Sequence, residues 1–244
     1  MTLYEYSKEI IKFLKNYLNK SHCKGYAIGI SGGIDSALVL ALAIKAVGKE
    51  KVFPIILPCH SNPLDEKLAR KQCKVFNIKP EILKLDSIYD SFELSFKEFS
   101  PLIKLSSSNL KVRLRMVSIY AYAQNKSALV IGTDNLDERY LGYFTKYGDG
   151  ACDLFAINFL VKKEVNELAK KYGVINEILK RKPTAGLIDN QNDEDELQIS
   201  YCKIDDFLLN RYIDRDSLSR IKYLHKISSH KRGKIPCPPK YERN

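Results

Sequence analysis

Residues 29–36 read Gly-Ile-Ser-Gly-Gly-Ile-Asp-Ser, and this octet lies where an apolar run ends and a helical pattern begins. The apolar run covers residues 26–30, and the helical pattern continues from Ala37. A turn from strand to helix leaves unpaired N–H groups at the helix N-terminus, and adjacent glycines let a phosphate approach them. Asp35 would repel a bound polyanion unless a cation lay between the two. The octet therefore predicts a nucleotide site with Mg²⁺.

Strand and helix patterns alternate around this octet. Apolar runs predict strands over residues 26–30, 52–57, 81–85 and 128–132, with a short one near 154–157. Spacing of three and four predicts helices over 3–18, 36–47, 64–76, 109–124, 162–172, 196–210 and 217–228. This order predicts an α/β fold, a doubly wound and mainly parallel sheet of about five strands with helices on both faces. Ligands of such sheets bind beyond the carboxyl ends of the strands, where the octet and residues 132–135 both lie.

Length and composition are those of a globular protein. The 244 residues are 45% hydrophobic and 28% charged, which predicts a single α/β domain and excludes a largely disordered chain. We expect a cytoplasmic protein, because no apolar segment approaches the roughly 18 residues of a membrane span and the N-terminus lacks a signal-peptide pattern. The six cysteines include no Cys-x-x-Cys pair and are expected to be reduced structural thiols. The net charge of +11 is spread along the chain and does not by itself identify a partner.

Two segments of the second half lack a regular pattern. Residues 183–197 are polar and acidic, which predicts a mobile surface loop. Residues 229–244 are expected to form a C-terminal tail, since the prolines of the stretch 230–239 oppose a regular helix there.

The octet is not a Walker A loop, because no lysine follows its glycines. Its core, Ser31 to Ser36, resembles the pyrophosphate-binding loop Ser-Gly-Gly-x-Asp-Ser of the ATP pyrophosphatase families, which cleave ATP between the α and β phosphates. A glycine-rich turn with an Asp-Ser helix cap is the structural alternative. The resemblance implies a fold similar to that of the adenine nucleotide alpha hydrolases.

Later segments resemble one branch of these enzymes, the ammonia-dependent NAD synthetases. They are Lys-Val-Arg-Leu-Arg-Met at 111–116, Gly-Thr-Asp-Asn-Leu-Asp-Glu at 132–138, Phe-Thr-Lys-Tyr-Gly-Asp-Gly at 144–150, and His-Lys-Arg at 230–232. The resemblance implies a ligase that amidates deamido-NAD with ammonia. ATP first adenylates the substrate carboxylate and releases pyrophosphate, and ammonia then displaces AMP to give NAD. Adenylation supplies the leaving group that a bare carboxylate lacks.

The resemblance also implies roles for individual residues. Residues expected to bind ATP are Gly29, Ile30, Ser31, Gly32, Gly33, Ile34, Asp35, Ser36, Thr133, Lys162 and Thr184. Residues expected to bind deamido-NAD are Arg113, Lys146, Asp153, His230 and Lys231. Asp35 and Glu138 are the expected Mg²⁺ ligands, and a helical turn after Thr133 would direct Glu138 toward Asp35. No further catalytic side chain is implied.

The segment Pro-Cys-His-Ser-Asn-Pro at 58–63 departs from the Pro-Tyr-Gly of many relatives, which leaves the contacts to adenine open. Cys59 and His60 would suit a nucleophile, but no acidic partner is evident in the sequence and adenylation needs no thiol. Free ammonia, or ammonia delivered by a partner chain, is the expected nitrogen source, since a glutaminase domain has no room before residue 26. The family forms homodimers, and the leading helix and the helix from Asn109 are the expected interface.

Two other functions remain open at this stage. A tRNA-modifying or other adenylating enzyme of the same superfamily would use the same loop, but the added RNA-binding domain and the paired reactive cysteines of such enzymes are not visible. A basic protein that only binds nucleic acid would explain the charge, but it leaves Ser31 to Ser36, Glu138 and Lys146 to Asp153 without a role. We therefore expect no membrane or nucleic-acid partner.

Overall fold

The computed structural model describes residues 1–181 and 193–241. Within them, parallel strands form one sheet in the order β3-β2-β1-β4-β5. The strands are β1 (Gly25–Gly29), β2 (Val52–Ile56), β3 (Glu81–Ile82), β4 (Ala128–Gly132) and β5 (Leu154–Phe155). Neighbouring strands are in register at Tyr26 and Val52, Ile55 and Glu81, Gly25 and Ala128, and Ile131 and Leu154. The predicted doubly wound α/β fold is confirmed.

Helices cover both faces of the sheet. In the described residues they are α1 (Leu3–Ser21), α2 (Ile34–Val47), α3 (Pro63–Val75), α4 (Asp86–Lys97), α5 (Lys104–Asn125), α6 (Leu136–Leu141), α7 (Lys162–Lys171), α8 (Asn176–Leu179), α9 (Asp193–Leu197), α10 (Tyr201–Leu208), α11 (Arg215–Ile227) and α12 (Ser229–Arg232). One core cluster joins α1, α2, α3 and α7 to the sheet, a second joins α4 and α5 to it, and a third lies among α6, α10 and α11. No helix in the described ranges has both the length and the apolar character of a membrane span.

Helix α2 is the centre of the main core. Every residue from Ser36 to Ala43 is buried, because α2 packs against α1, α7 and the sheet at once. A helix covered on all sides needs no polar stripe, which explains its nearly continuous apolar sequence. Strand β1 is apolar for the same reason, since a central parallel strand is covered on both faces.

The chain order places the switch point of the sheet between β1 and β4. The chain winds from β1 through β2 to β3 on one side, then returns to β4 and β5 on the other. A crevice forms beyond the carboxyl ends of two strands whose connections leave in opposite directions. The loop into α2 and the loop into α6 both begin at this crevice.

Some element boundaries differ from the predictions. Strand β3 ends at Ile82 instead of residue 85, because Leu85 already precedes α4, a helix that the apolar spacing did not indicate. The predicted helix 196–210 is divided at Gln198, whose φ of 55° is left-handed and ends α9 before α10 begins.

Two predictions of irregular structure are partly wrong. The predicted loop 183–197 ends in helix α9, with four acidic residues in its first turn where they complement the helix dipole. Residues 183–192 of that loop lie outside the described residues. The stretch from His230 begins within helix α12, since the first proline of the tail, Pro236, follows that helix by several residues.

Candidate active site

The loop from β1 into α2 is organised by two serines. Ser36 Oγ donates to the Gly33 carbonyl (3.1 Å) and contacts Ser31 Oγ at 3.1 Å, while the Ser31 N–H donates to Ser36 Oγ (3.2 Å). Gly33 is the N-cap of α2, and no side chain caps the helix there. The N-terminal N–H groups of this buried helix are therefore directed into the crevice, as an anion site requires.

Gly32 is the glycine that the loop geometry requires. Its φ is +80°, and a Cβ at this position would lie 2.4 Å from the carbonyl oxygen of Asp65. At Gly33 a Cβ would meet only Ser31 Oγ, at 3.2 Å. The two glycines thus serve different purposes, since Gly32 lets the chain turn against α3 while Gly33 keeps the helix N-terminus open.

Lys162 joins the two carboxylates that the sequence singled out. Its Nζ lies 2.6 Å from Asp35 Oδ2 and 3.5 Å from Glu138 Oε1. The lysine side chain is 7% exposed and each carboxylate 18%, so this ion-pair cluster is largely shielded from water. Residues from α2, α6 and α7 therefore meet at one point beside the phosphate loop.

Burial perturbs the charges of this cluster. Burial raises the pKa of Glu138 to about 8, with Lys162 opposing the rise and Asp35 adding to it. Burial by itself would lower the pKa of Lys162, but the nearby carboxylates of Asp35 and Glu138 outweigh it and raise that pKa. The lysine is therefore held as a cation that can meet negative charge on a ligand.

Asn135 fixes the position of Glu138. Its side chain accepts a hydrogen bond from the Glu138 N–H (3.0 Å), and Glu138 Oε2 accepts one from the Asn135 N–H (3.1 Å), which forms a capping box at the start of α6. Asn135 Nδ2 also donates to Asp35 Oδ1 (2.9 Å). One amide thus orients both carboxylates.

Two buried aspartates hold the start of α7, where Lys162 lies. The Lys162 N–H donates to Asp137 Oδ2 (2.8 Å) and to Asp205 Oδ1 (3.1 Å), and the Lys163 N–H donates to Asp205 Oδ2 (3.0 Å). Asp137 is fully buried and Asp205 4% exposed. Burial, with the neighbouring Asp205 carboxyl, raises the pKa of Asp137 to about 9. The backbone of Lys162 is therefore fixed from α6 and α10 together.

A cavity of about 440 Å³ opens beside this cluster. Of the residues predicted to bind ATP, those on its wall are Gly29, Ile30, Ser31, Gly33, Ile34, Asp35, Ser36, Thr133 and Lys162. Glu138 also lines it. Gly32 is not part of the wall, which agrees with its role inside the turn, and Thr184 lies outside the described residues.

The residues predicted to bind deamido-NAD lie beyond this cavity, and most of them form one chain of contacts. The Arg113 guanidinium donates to the Lys146 carbonyl at 3.3 and 3.4 Å, and Lys146 Nζ donates to the His230 carbonyl (2.8 Å). Lys231 Nζ donates to the carbonyls of Gly142 and Phe144, each at 2.7 Å. The tail helix α12 is thereby held against the loop that precedes β5.

Asp153 lies apart from that group. Its Oδ2 accepts from the Val130 N–H (2.7 Å), and Oδ1 contacts Tyr120 OH at 3.4 Å. In this structure the carboxylate therefore links β4, α5 and the approach to β5.

Several site residues were missed in the sequence. Asn135 could have been found, because Asn-x-x-Glu at 135–138 has the spacing of a capping box. Asp205 could not, since no local pattern connects it with Lys162. Arg115 lines the cavity and donates to the Leu57 carbonyl (3.0 Å). It belongs to the segment 111–116, but the resemblance implied no role for it.

The expectation that Cys59 is not a nucleophile agrees with its surroundings. The thiol is 1% exposed and contacts the Leu85 carbonyl at 3.9 Å, and burial raises its pKa. The sequence shows no acidic partner for His60, but the structure brings two to it: Asp90 Oδ1 lies 2.6 Å from its Nε2, and Asp86 Oδ1 lies 3.5 Å from its Nδ1. These acids come from α4, the helix that the sequence did not predict.

Comparison with known proteins identifies the family of the chain. The family model described as NAD synthase matches residues 6–235. The chain belongs to the NAD synthase family. It is 42% identical over 244 residues to an NH₃-dependent NAD⁺ synthetase of Mesoplasma florum, and the match covers 100% of both chains. The predicted family is confirmed, and a tRNA-modifying enzyme is not favoured.

Two solved structures share the fold of this chain over nearly its whole length. An NMN synthetase from Francisella tularensis is 37% identical with a TM-score of 0.92, covering 99% of this chain and 100% of the other. An NH₃-dependent NAD synthetase from Campylobacter jejuni is 31% identical with a TM-score of 0.80, covering 98% and 100%.

Proposed function

We propose that this NAD synthase family member is a ligase that amidates deamido-NAD with ammonia, using ATP and releasing AMP and pyrophosphate. The observation that carries the proposal is the convergence of Asp35, Glu138 and Lys162 beside the open N-terminus of α2. Pyrophosphate is a polyanion, and this arrangement offers backbone donors, hydroxyls and a buried cation to receive it.

The chemistry assigns a task to each part of the site. The substrate carboxylate attacks the α-phosphorus of ATP, the bond to the bridging oxygen breaks, and pyrophosphate carries away the electron pair. Ser31, Ser36 and the N–H groups of α2 bind the departing pyrophosphate, while Lys162 stabilises the charge that grows on it. Ammonia then attacks the acyl carbon of the adenylate, AMP leaves, and the nitrogen loses a proton.

Mg²⁺ fits the residues that would hold it. Asp35 and Glu138 supply carboxylate oxygens, the ligands that Mg²⁺ prefers, and Mg²⁺ at nucleotide sites usually takes one or two carboxylates together with phosphate oxygens. The described residues contain no cluster of three or more acidic, histidine or cysteine ligands, so phosphate and water would complete the shell. When bound, the ion would neutralise charge on the phosphates.

The substrate-binding roles of Arg113, Lys146, Asp153, His230 and Lys231 remain part of the proposal. What supports them is their place around one loop and helix α12, next to the cavity wall at residues 148–149. A dinucleotide longer than the cavity would extend along this basic surface.

We further propose a homodimer and keep the predicted cytoplasmic location. Large apolar side chains are exposed on α4, on α5 and between them, and they include Phe92 (45%), Leu94 (64%), Phe99 (73%), Ile103 (68%) and Leu105 (64%). This density of exposed apolar side chains within residues 92–105 supports an interface there. Sedimentation equilibrium should give twice the chain mass of 27.9 kDa, and a monomer at micromolar concentration would contradict the dimer.

A second candidate substrate is nicotinic acid mononucleotide. The TM-score of 0.92 with an NMN synthetase, against 0.80 with an NAD synthetase, favours considering it. Both substrates present the same pyridine carboxylate to ATP, so the adenylation site serves either. They differ only in the adenosine phosphate that follows, and the basic surface around Lys146 would be needed by the larger substrate alone.

The test supplies the protein with Mg²⁺·ATP and ammonium, and with deamido-NAD or nicotinic acid mononucleotide in parallel. We expect AMP, pyrophosphate and NAD, with kcat/KM higher for the dinucleotide. ADP and phosphate as products would refute adenylation. A higher kcat/KM for the mononucleotide would establish the second candidate, and replacement of Lys146 by alanine should then affect only the weaker substrate.

A further inference from the structure

One wall of the nucleotide cavity is held by a single arginine. Arg115 reaches from α5 to the turn that follows β2, where its Nε donates to the Leu57 carbonyl (3.0 Å) and its Nη2 donates to Ser61 Oγ (2.9 Å). Leu57, Pro58, Ser61 and Arg115 all line the cavity. The arginine therefore spans the turn from end to end.

The other side of the turn is fixed by α4 and the residues before it. The Leu85 N–H donates to the Pro58 carbonyl (2.8 Å), and the His60 N–H donates to Asp86 Oδ1 (2.6 Å). His60 itself has a left-handed φ of 44°, which only surrounding contacts can maintain. A turn this constrained presents its backbone to the cavity in one conformation.

Arg115 is not explained as an ion-pair partner. None of the ion pairs within 4.0 Å in the described part of the chain includes it. Burial lowers the pKa of Arg115, so placing the cation here has a free-energy cost. A guanidinium retained at such a place, bonded to a carbonyl and a hydroxyl, points to a requirement for the shape of the turn.

The position of the turn indicates which part of a nucleotide it meets. The end of the cavity at α2, α6 and α7 carries Asp35, Glu138 and Lys162, whereas Leu57, Pro58, Ser61 and Arg115 line it at the turn after β2, with Asp65 and Glu66 at the start of α3. If the phosphates of ATP bind at the Lys162 end, as the proposed function requires, the base lies toward the turn. The backbone of the turn is then among the groups that can orient the base.

We propose that Arg115 is a positioning residue that holds the Leu57–Ser61 turn as the base-reading wall of the ATP site and so sets the preference for adenine. The Leu57 carbonyl has a second lone pair beside the one that Arg115 occupies. That lone pair can accept a hydrogen bond from the amino group of adenine, while guanine presents a carbonyl oxygen that it repels. This inference rests on the proposed function.

The test compares Arg115→Gln with Ser118→Ala, a control on the same helix whose hydroxyl donates only to the Leu114 carbonyl. We expect Arg115→Gln to raise the Kd and KM for ATP by about tenfold or more, as for loss of charge-assisted hydrogen bonds. The preference for ATP over GTP should fall, while kcat and the KM for the pyridine substrate change by less than about threefold. Equal loss in all parameters, or an unchanged ATP/GTP ratio, would overturn the proposal.

A second variant separates positioning from general damage to the fold. Ser61→Ala removes one partner of Arg115 at the turn together with the acceptor of the Cys59 N–H (3.1 Å). The double variant should lose less ATP affinity than the sum of the two single losses, because both changes release the same turn. Strictly additive effects would overturn the proposal. ATP affinity is measured by equilibrium dialysis without the pyridine substrate, so this measurement does not depend on amide formation. Wild-type protein that binds ATP but forms no amide would refute the proposed function. The effect of Arg115→Gln on ATP and GTP binding would still be measured in the same way.

Discussion

Removal of the Asp205 carboxylate should loosen the helix that carries Lys162. Val161, the N-cap of α7, provides no side-chain cap, so Asp205 accepts from the Lys163 N–H and shares the Lys162 N–H with Asp137. In Asp205→Ala, Asp137 Oδ2 still accepts from the Lys162 N–H, but the Lys163 N–H loses its carboxylate acceptor. A buried N–H left without an acceptor lowers the free energy of unfolding by about 1–3 kcal/mol, and a lost helix cap lowers it by about 0.5–2 kcal/mol. Both ranges describe the same lost hydrogen bond, so they are not added.

Loss of the Asp205 carboxylate also removes a hydrogen-bond partner of Asp137. Burial and the Asp205 carboxyl raise the pKa of Asp137 to about 9, so Asp137 is protonated near neutral pH and the mutation takes away an acceptor of its proton. We therefore expect the free energy of unfolding to fall by about 2 kcal/mol, the middle of the range for a lost charged acceptor. Because the misplaced backbone displaces Nζ, the KM for ATP should rise as well.

The assay is urea denaturation followed by circular dichroism at fixed protein concentration, with ATP kinetics in parallel. Asp206→Ala is the matched control. It lies on the same helix, its carboxylate is paired with Arg211 at 3.2 Å on the surface, and it should cost no more than about 0.5 kcal/mol. If Asp205→Ala and Asp206→Ala unfold at the same urea concentration with the same KM, the two-aspartate support of α7 is refuted.

Three further outcomes are expected. Asp35→Asn and Glu138→Gln should each lower kcat by on the order of 10² or more at saturating Mg²⁺, because each removes charge at the phosphates, and near-normal turnover of both would reject them as metal ligands. Gly32→Ala should destabilise the protein by about 1–3 kcal/mol and abolish ATP binding, since the residue has a φ of +80° and its Cβ would meet a carbonyl oxygen; an unchanged melting temperature would contradict this. Iodoacetamide at pH 8 should label exposed Cys202 rapidly and leave buried Cys73, whose pKa is raised to about 12, unlabelled until the protein unfolds; labelling of native Cys73 would show that the core opens.

The sheet was predictable because its signals are local. Strand β4 was predicted with its observed bounds, and β1 and α2 were predicted to within one or two residues. Their signals, apolar runs and a glycine-rich turn, consist of adjacent residues in the sequence. Helix α4 was missed because only Tyr89 of its residues is buried, so its apolar spacing is weak. Its exposed face includes Phe92 and Leu94, which suits a helix completed by another surface.

The candidate site was likewise predictable where its sequence signals are local and not where they are distant. The loop from Gly29 to Ser36 could be recognised from one short motif, and Glu138 was singled out only through the resemblance to the synthetase family. In the structure Asp35 and Glu138 both approach Lys162 Nζ. The partners of Lys162 could not be predicted, because Asp205 belongs to a distant helix and acts on backbone atoms that carry no sequence signal. Contacts from a side chain to a remote N–H leave no pattern in a single sequence.

The phosphate end and the base end of the cavity therefore tolerate amino-acid substitution to different degrees. At the phosphate end, three charged side chains must meet within 3.5 Å, and each is also held by further buried groups, so a substitution disturbs several contacts at once. At the base end, the turn after β2 contributes mainly backbone atoms, and any sequence that keeps its shape can serve. Arg115 supplies that shape from α5, outside the turn itself. The unusual residues Cys59 and His60 are then compatible with an ordinary ATP site, because the proposed contacts to the base come from the backbone of the turn and not from those side chains.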